Sequence, residues 1–174
     1  MRVTVLRLLA TALLLAGATF AQSAPAGAPR QSTAEAAFAR MKGLQGEWVS
    51  KRTDGKTSHV KYDLTGGGSA VVERYWADDV PDMTTVYTLD GDRLLLTHYC
   101  MAKNQPRMQA TAFDIAGQLN FHFLDATGLA TPGEGHMHNA SFRFIDNDHF
   151  TTRWEFFQDG KQKFAEELAF SRVR

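Results

Sequence analysis

The chain has 174 residues, and its 19 Lys and Arg are balanced by 19 Asp and Glu, so the formal net charge is zero. It therefore lacks the basic excess that binding to nucleic acid requires, and nucleic acid is not expected as a partner. Cys100 is the one cysteine, which excludes an intramolecular disulfide.

Residues 1–21 have the pattern of a secretory signal peptide. Arg2 and Arg7 form its charged region, residues 8–18 form its apolar run, and a small-residue cleavage site ends at Ala21. The apolar run is shorter than the roughly 20 residues that span a membrane, so no membrane anchor is expected. The predicted localisation is therefore periplasmic or secreted, after export by a cleavable signal peptide.

Residues 22–32 are rich in Ala, Pro and Ser, which is typical of a flexible tether. The remaining residues, 33–174, are enough for a single domain with its own core. The first predicted element is a short helix, because Ser32 and Glu35 form a capping-box pattern and apolar residues follow at helical spacing. A glycine at position 43 suits the end of this helix.

After the helix, the pattern changes to short strands separated by turn residues such as Asp54-Gly55 and Asp90-Gly91. Ten strands are predicted, over 46–53, 56–64, 69–77, 83–89, 92–100, 107–114, 118–125, 136–146, 149–158 and 161–172. Consecutive hairpins hide their edges best by closing on themselves. The predicted fold is an all-β, up-and-down antiparallel barrel of about ten strands, with the helix over one end.

Alternation along the strands predicts which side chains face the interior of this barrel. The predicted apolar lining consists of Phe123, Phe142, Trp154 and Phe156, and Leu94, Leu96, Phe164, Leu168 and Phe170 also point inward. The predicted polar end consists of His98, Cys100, Asn104, Gln105, Arg107, His136 and His138. An interior divided in this way is typical of a site for a small amphipathic ligand.

Several motifs resemble a known group of proteins. Gly46-Glu47-Trp48 resembles the Gly-X-Trp opening of the calycins, the relatives of lipocalins and fatty-acid-binding proteins. The blocks 85–100, 104–108, 123–127 and 136–138 are similar to an uncharacterised family of secreted bacterial calycin-like barrels. This resemblance covers nearly all of 33–174 and implies a cavity of lipid size or smaller, with no settled activity. Related nitrobindin-like barrels bind haem through a histidine, but no histidine here is matched to that ligand.

The histidines also allow a metal site. His136 and His138 lie two residues apart on one predicted strand, about 7 Å between Cα atoms, and so share a face. With His98 they would supply three ligands for zinc or iron. The alternative is a polar plug, in which these histidines form hydrogen bonds with Asn104, Gln105 or Tyr99.

Arg107 and Cys100 each have two interpretations as well. A buried Arg107 would need a carboxylate partner, either from a ligand or from Glu73 or Glu166. Cys100 is either a small buried apolar residue or a nucleophile next to His98.

The sequence therefore predicts a secreted, non-catalytic barrel that binds a small, partly apolar ligand in its interior. One alternative is a metal- or haem-dependent enzyme that uses His98, His136 and His138. A second alternative is a structural or envelope-interaction protein with a filled interior. No cofactor and no protein partner is assigned.

Overall fold

The computed structural model describes residues 33–174, so the predicted signal peptide at 1–21 and tether at 22–32 lie outside the described residues. The described chain contains helix α1 (Thr33–Lys42) and strands β1 (Gly46–Lys51), β2 (Thr57–Thr65), β3 (Ala70–Ala77), β4 (Val80–Asp90), β5 (Arg93–Tyr99), β6 (Gln105–Ala110), β7 (Gln118–Thr127), β8 (His136–Phe144), β9 (His149–Gln158) and β10 (Lys161–Arg172). A short 3-10 turn, Gly66–Gly68, joins β2 to β3.

Each strand pairs in antiparallel with its neighbours in sequence, and β1 also pairs with β10, which closes the sheet into a barrel. The predicted all-β barrel of ten strands with one short helix is thus confirmed. Strand β4 begins earlier than predicted, because Val80 pairs with Ala77 across a tight turn. Strand β6 begins at Gln105 instead of 107, since Gln105 pairs with Thr127 of β7.

Helix α1 covers one end of the barrel, as the sequence predicts. Its helical spacing places Ala37, Phe38 and Met41 on one face, and all three are buried in the core. The indole nitrogen of Trp48 donates to the carbonyl of Leu44 at 2.7 Å and fixes the link between helix and barrel. Among the residues from 33 onward, no helix is long and apolar enough to cross a membrane.

Arg172 of the last strand stabilises this closed end through several contacts. Its guanidinium lies 4.0 Å from the centre of the Trp48 ring, within the range of a cation–π contact. It also donates to the carbonyls of Gln45 at 2.8 Å, Gly43 at 3.1 Å and Asn147 at 3.1 Å. The segment after α1, the β8–β9 turn and β10 are therefore held together at one point.

Aromatic side chains fill the part of the barrel next to α1. The largest fully buried rings are Trp48, Tyr62, Tyr87, Phe121, Phe142 and Phe150. Phe142 contacts the rings of Tyr87, Phe121, Phe150 and Trp154 at centre-to-centre distances of 6.0 to 6.5 Å. Rings in these edge-on and stacked arrangements pack to the density of a protein core.

Candidate functional site

The barrel opens at the end opposite α1 into a cavity of about 760 Å³. The turns after β1 and β5, the end of β9 and the start of β10 surround the opening. The larger apolar and aromatic side chains that line the cavity are Tyr75, Val80, Met83, Cys100, Met101, Met137, Phe156, Phe164 and Leu168. Pockets for small molecules usually measure roughly 300–1,000 Å³, so this cavity has the size of a ligand site.

Methionines and two stacked rings form much of the cavity wall. The rings of Phe156 and Phe164 stack with their centres 4.9 Å apart. Met83 and Met137 are partly buried against the core, whereas Met101 is exposed at the opening. Because methionine is flexible and polarisable, this wall can adjust to apolar molecules of different shape.

Charged side chains lie along one side of the opening. Arg52 forms ion pairs with Asp54 at 3.1 Å and with Asp79 at 3.1 Å, and Lys56 binds the second oxygen of Asp79 at 2.6 Å. Glu166 lines the cavity and is half-buried. Burial raises the pKa of the Glu166 carboxyl, and the nearby Arg52 opposes this rise.

A buried polar network lies beneath the cavity. Glu73, Thr85 and His98 each lie two residues deeper along their strands than a residue that lines the cavity. Tyr87 donates to the Glu73 carboxyl at 2.7 Å, and Tyr62 and Thr85 also form hydrogen bonds with it. Burial raises the pKa of Glu73 and lowers the pKa of His98 to about 4, which favours the neutral form of each group.

His98 is a predicted site residue that lies below the cavity lining. It is 5% exposed, its Nδ1 lies 2.9 Å from the hydroxyl of Thr85, and its ring centre lies 4.9 Å from that of Trp154. Its inward direction is therefore as predicted, although the ring lies below the cavity lining. Its Nε2 is buried without a hydrogen-bond partner among the described residues.

The structure does not place His136 and His138 in the cavity, which corrects their predicted inward direction. A bulge between Met137 and Asn139 interrupts the alternation of β8. Met137 pairs with Phe156, and both line the cavity in place of the histidines. One extra residue in a strand changes the face on which the following side chains lie.

The two histidines form an aromatic cluster at the flank of the barrel. The ring of His138 is stacked between Phe123 at 4.5 Å and Phe157 at 4.4 Å, and its Nδ1 lies 3.0 Å from Nε2 of His136. Burial, and the neighbouring His136, lower the pKa of His138. In residues 33–174, no three His, Cys, Asp or Glu side chains are grouped as metal ligands. The three-histidine set that includes His98 is therefore not assembled.

Asn104 and Gln105 connect the β5–β6 turn to the segment around β7 and β8. The buried Asn104 amide donates to the carbonyl of Gly135 at 2.9 Å. The side-chain oxygen of Gln105 accepts from the hydroxyl of Thr127 at 2.8 Å. Neither residue lines the cavity, so this pair holds two chain segments together beside the opening.

Arg107 lies on the outer face of the barrel, which corrects its predicted place near the polar end of the interior. Its guanidinium binds the carboxylate of Asp125 on β7, at 2.6 Å for Nε, and its side chain is 47% exposed. The next residue, Met108, is fully buried, so alternation directs Arg107 outward. Neither Glu73 nor Glu166 is its partner.

We expect Arg107→Ala to leave the free energy of unfolding nearly unchanged, because ion pairs between exposed side chains are screened by water. Urea denaturation measures this change, with Arg107→Lys as a variant that keeps the charge. A loss as large as that of a core truncation would contradict the outer position of Arg107.

The predicted apolar lining divides into three groups. Phe156, together with Cys100, lines the cavity. Phe142 and Trp154 belong to the packed core below it. Phe123 packs against the two flank histidines.

Sequence reasoning missed several residues of the site and of the network beneath it. They are Tyr62, Tyr75, Val80, Met83, Thr85 and Tyr87. Alternation along 83–89 carries the signal for three of them, since Met83, Thr85 and Tyr87 share one face of that strand. The sequence pattern gives no such signal for Val80, because the strand was predicted to begin after this residue.

Comparison with known proteins supports the fold alone. No family model and no curated protein matches the chain. Rv2717c from M. tuberculosis has a similar structure, with a TM-score of 0.57 and 16% identity over 79% of this chain and 98% of that one. A protein of unknown function of the DUF3598 family from Nostoc punctiforme has a TM-score of 0.43 and 14% identity over 76% of this chain. This chain spans 49% of that protein's length. The ten-stranded barrel fits the calycin-like fold, and family membership stays a prediction.

Proposed function

We propose that the protein binds a small, largely apolar molecule in the open-ended cavity and performs no catalysis. The observation that carries this proposal is the cavity of about 760 Å³, which lies above a packed core and has a mostly apolar wall. Replacing water with an apolar ligand at this wall is favourable by about 25 cal/mol for each Å² of apolar surface that is buried. Export by the signal peptide at 1–21 remains part of the proposal.

The environment of Cys100 favours binding over nucleophilic catalysis. A thiol attacks as the thiolate, and burial raises the pKa of Cys100. The nearest histidine along the strand, His98, has its Nδ1 beside Thr85, and burial lowers its pKa to about 4, which makes it a weak base for taking up the thiol proton. Cys100 therefore contributes apolar surface to the cavity wall.

Filling the cavity with a larger side chain tests the proposal. We expect Met83→Trp to weaken binding of the uncharged fluorescent probe N-phenyl-naphthylamine by on the order of tenfold, because the indole occupies the ligand's space. Val80→Trp fills the same cavity from another position, and it serves as a second test if Met83→Trp does not fold.

Ile145→Trp is the matched control, because Ile145 is 60% exposed in the turn after β8, away from the cavity. It should leave binding of the probe unchanged. A wild-type protein that binds neither this probe nor a simple alcohol such as decanol would contradict the proposal and favour a structural role.

A further inference from the structure

Glu166 is the carboxylate that faces the cavity without a cation of its own. It lies on β10 between Phe164 and Leu168, which line the cavity with it. It pairs in register with Trp154, whose side chain belongs to the core. Among the residues from 33 onward, no Lys, Arg or His nitrogen lies within ion-pair distance of Glu166.

The nearby cations are already engaged by other carboxylates. Arg52 acts electrostatically on Glu166, but its own ion pairs are with Asp54 and Asp79. Lys56 also binds Asp79. Arg52 and Lys56 are thus shared between Asp54 and Asp79, and neither forms an ion pair with Glu166. A half-buried carboxylate without a partner is costly, and burial accordingly raises the pKa of Glu166.

The interior is poorly suited to an anionic ligand. No Lys or Arg is among the buried residues of the described chain. Arg52 lines the cavity, but a ligand carboxylate would have to compete with Asp54 and Asp79 for its guanidinium. Among residues 33–174, Glu73 is the one buried acid, and it lies beneath the cavity, where a carboxylate would repel an anionic ligand.

Aromatic rings line the same cavity as Glu166. Tyr75, Phe156 and Phe164 line the same cavity, and ring faces attract ammonium groups. We infer that the cavity selects a cationic amphiphile, an apolar body bearing an ammonium group, and that Glu166 binds this charge. This inference rests on the proposed function, because it names the class of ligand for the same cavity.

Three probes that share a decyl chain and differ in their head group test the inference. They are decyltrimethylammonium, decanol and decanoate, each titrated at neutral pH by displacement of N-phenyl-naphthylamine. We expect the ammonium compound to bind on the order of tenfold more tightly than the carboxylate, with the alcohol between them. We expect Glu166→Gln to weaken binding of the ammonium compound on the order of tenfold and to leave the alcohol unchanged.

Glu47→Gln is the matched control. Glu47 lies on β1 near the closed end and is exposed, so this variant removes the same charge away from the cavity. It should not change binding of any of the three probes. Equal losses in Glu47→Gln and Glu166→Gln would overturn the role of Glu166, since the overall charge would then govern binding.

Two further outcomes separate the inference from the proposed function. Tighter binding of decanoate than of the ammonium compound would overturn the inference and assign the head group to Arg52, while leaving an apolar ligand site in place. Binding of none of the three probes would overturn the proposed function itself.

Discussion

We expect Phe142→Ala to lower the free energy of unfolding by about 3–5 kcal/mol, the usual cost of truncating a phenylalanine in a packed core. Phe142 is fully buried and contacts rings from several strands. Its removal leaves a void that the closed sheet cannot easily collapse to fill. Urea denaturation followed by tryptophan fluorescence measures the loss.

Ile145, three residues further along the chain, is the control position for this truncation. Ile145→Ala removes apolar atoms from a side chain that is 60% exposed, so it should change the free energy of unfolding by at most about 0.5 kcal/mol. A small loss in Phe142→Ala would mean that Phe142 lines open space, as the sequence predicted. The structure instead places it in the packed core.

The second large effect depends on pH and comes from His98. Burial lowers its pKa from 6.5 to about 4, so the unfolded chain takes up a proton below pH 6.5 that the folded chain does not. Its contribution to stability is therefore present above pH 6.5 and is lost as the pH falls towards about 4. The expected loss is on the order of 3 kcal/mol, from the cost of a pKa shift of this size.

Glu73 acts in the opposite direction. Burial raises its pKa above 4.5, so its contribution is present below pH 4.5 and is lost as the pH rises through the raised value. The two effects overlap in the wild-type protein, and a variant at His98 is needed to separate them.

His98→Asn removes the titrating ring and keeps a polar side chain near Thr85. We expect this variant to be less stable at neutral pH, because it loses the contact with Trp154. Its stability should nevertheless fall less steeply between pH 6.5 and 4 than that of the wild-type protein. His122→Asn is the control, since His122 is exposed on β7. The same slope in His98→Asn and wild type would contradict the assignment.

The barrel could be predicted from sequence because its strands obey simple alternation between turns. Leu94, Leu96, His98 and Cys100 were predicted to face inward, and all four are buried. Regular spacing of the turns also gave the order of the hairpins, and closure follows from the cost of leaving strand edges unpaired. The pairing of β1 with β10 could therefore be predicted without a motif in either strand that marks it.

The candidate site was harder to predict, because it depends on departures from that alternation. The bulge after Met137 places this residue in the cavity wall and leaves His136 and His138 at the flank. No residue type in that stretch marks a bulge. Phe164 keeps its inward register, yet it lies half exposed at the opening, because depth along the barrel decides burial as much as the face does.

The closed end formed by α1 and Arg172 has a consequence for the rate at which the proposed ligand would exchange. Helix α1 and the packed rings block that end of the described chain, so the proposed ligand would enter and leave at the opposite end, past Met101 and Phe164. Under the proposed function, the motion of these two side chains would then set the residence time of the ligand.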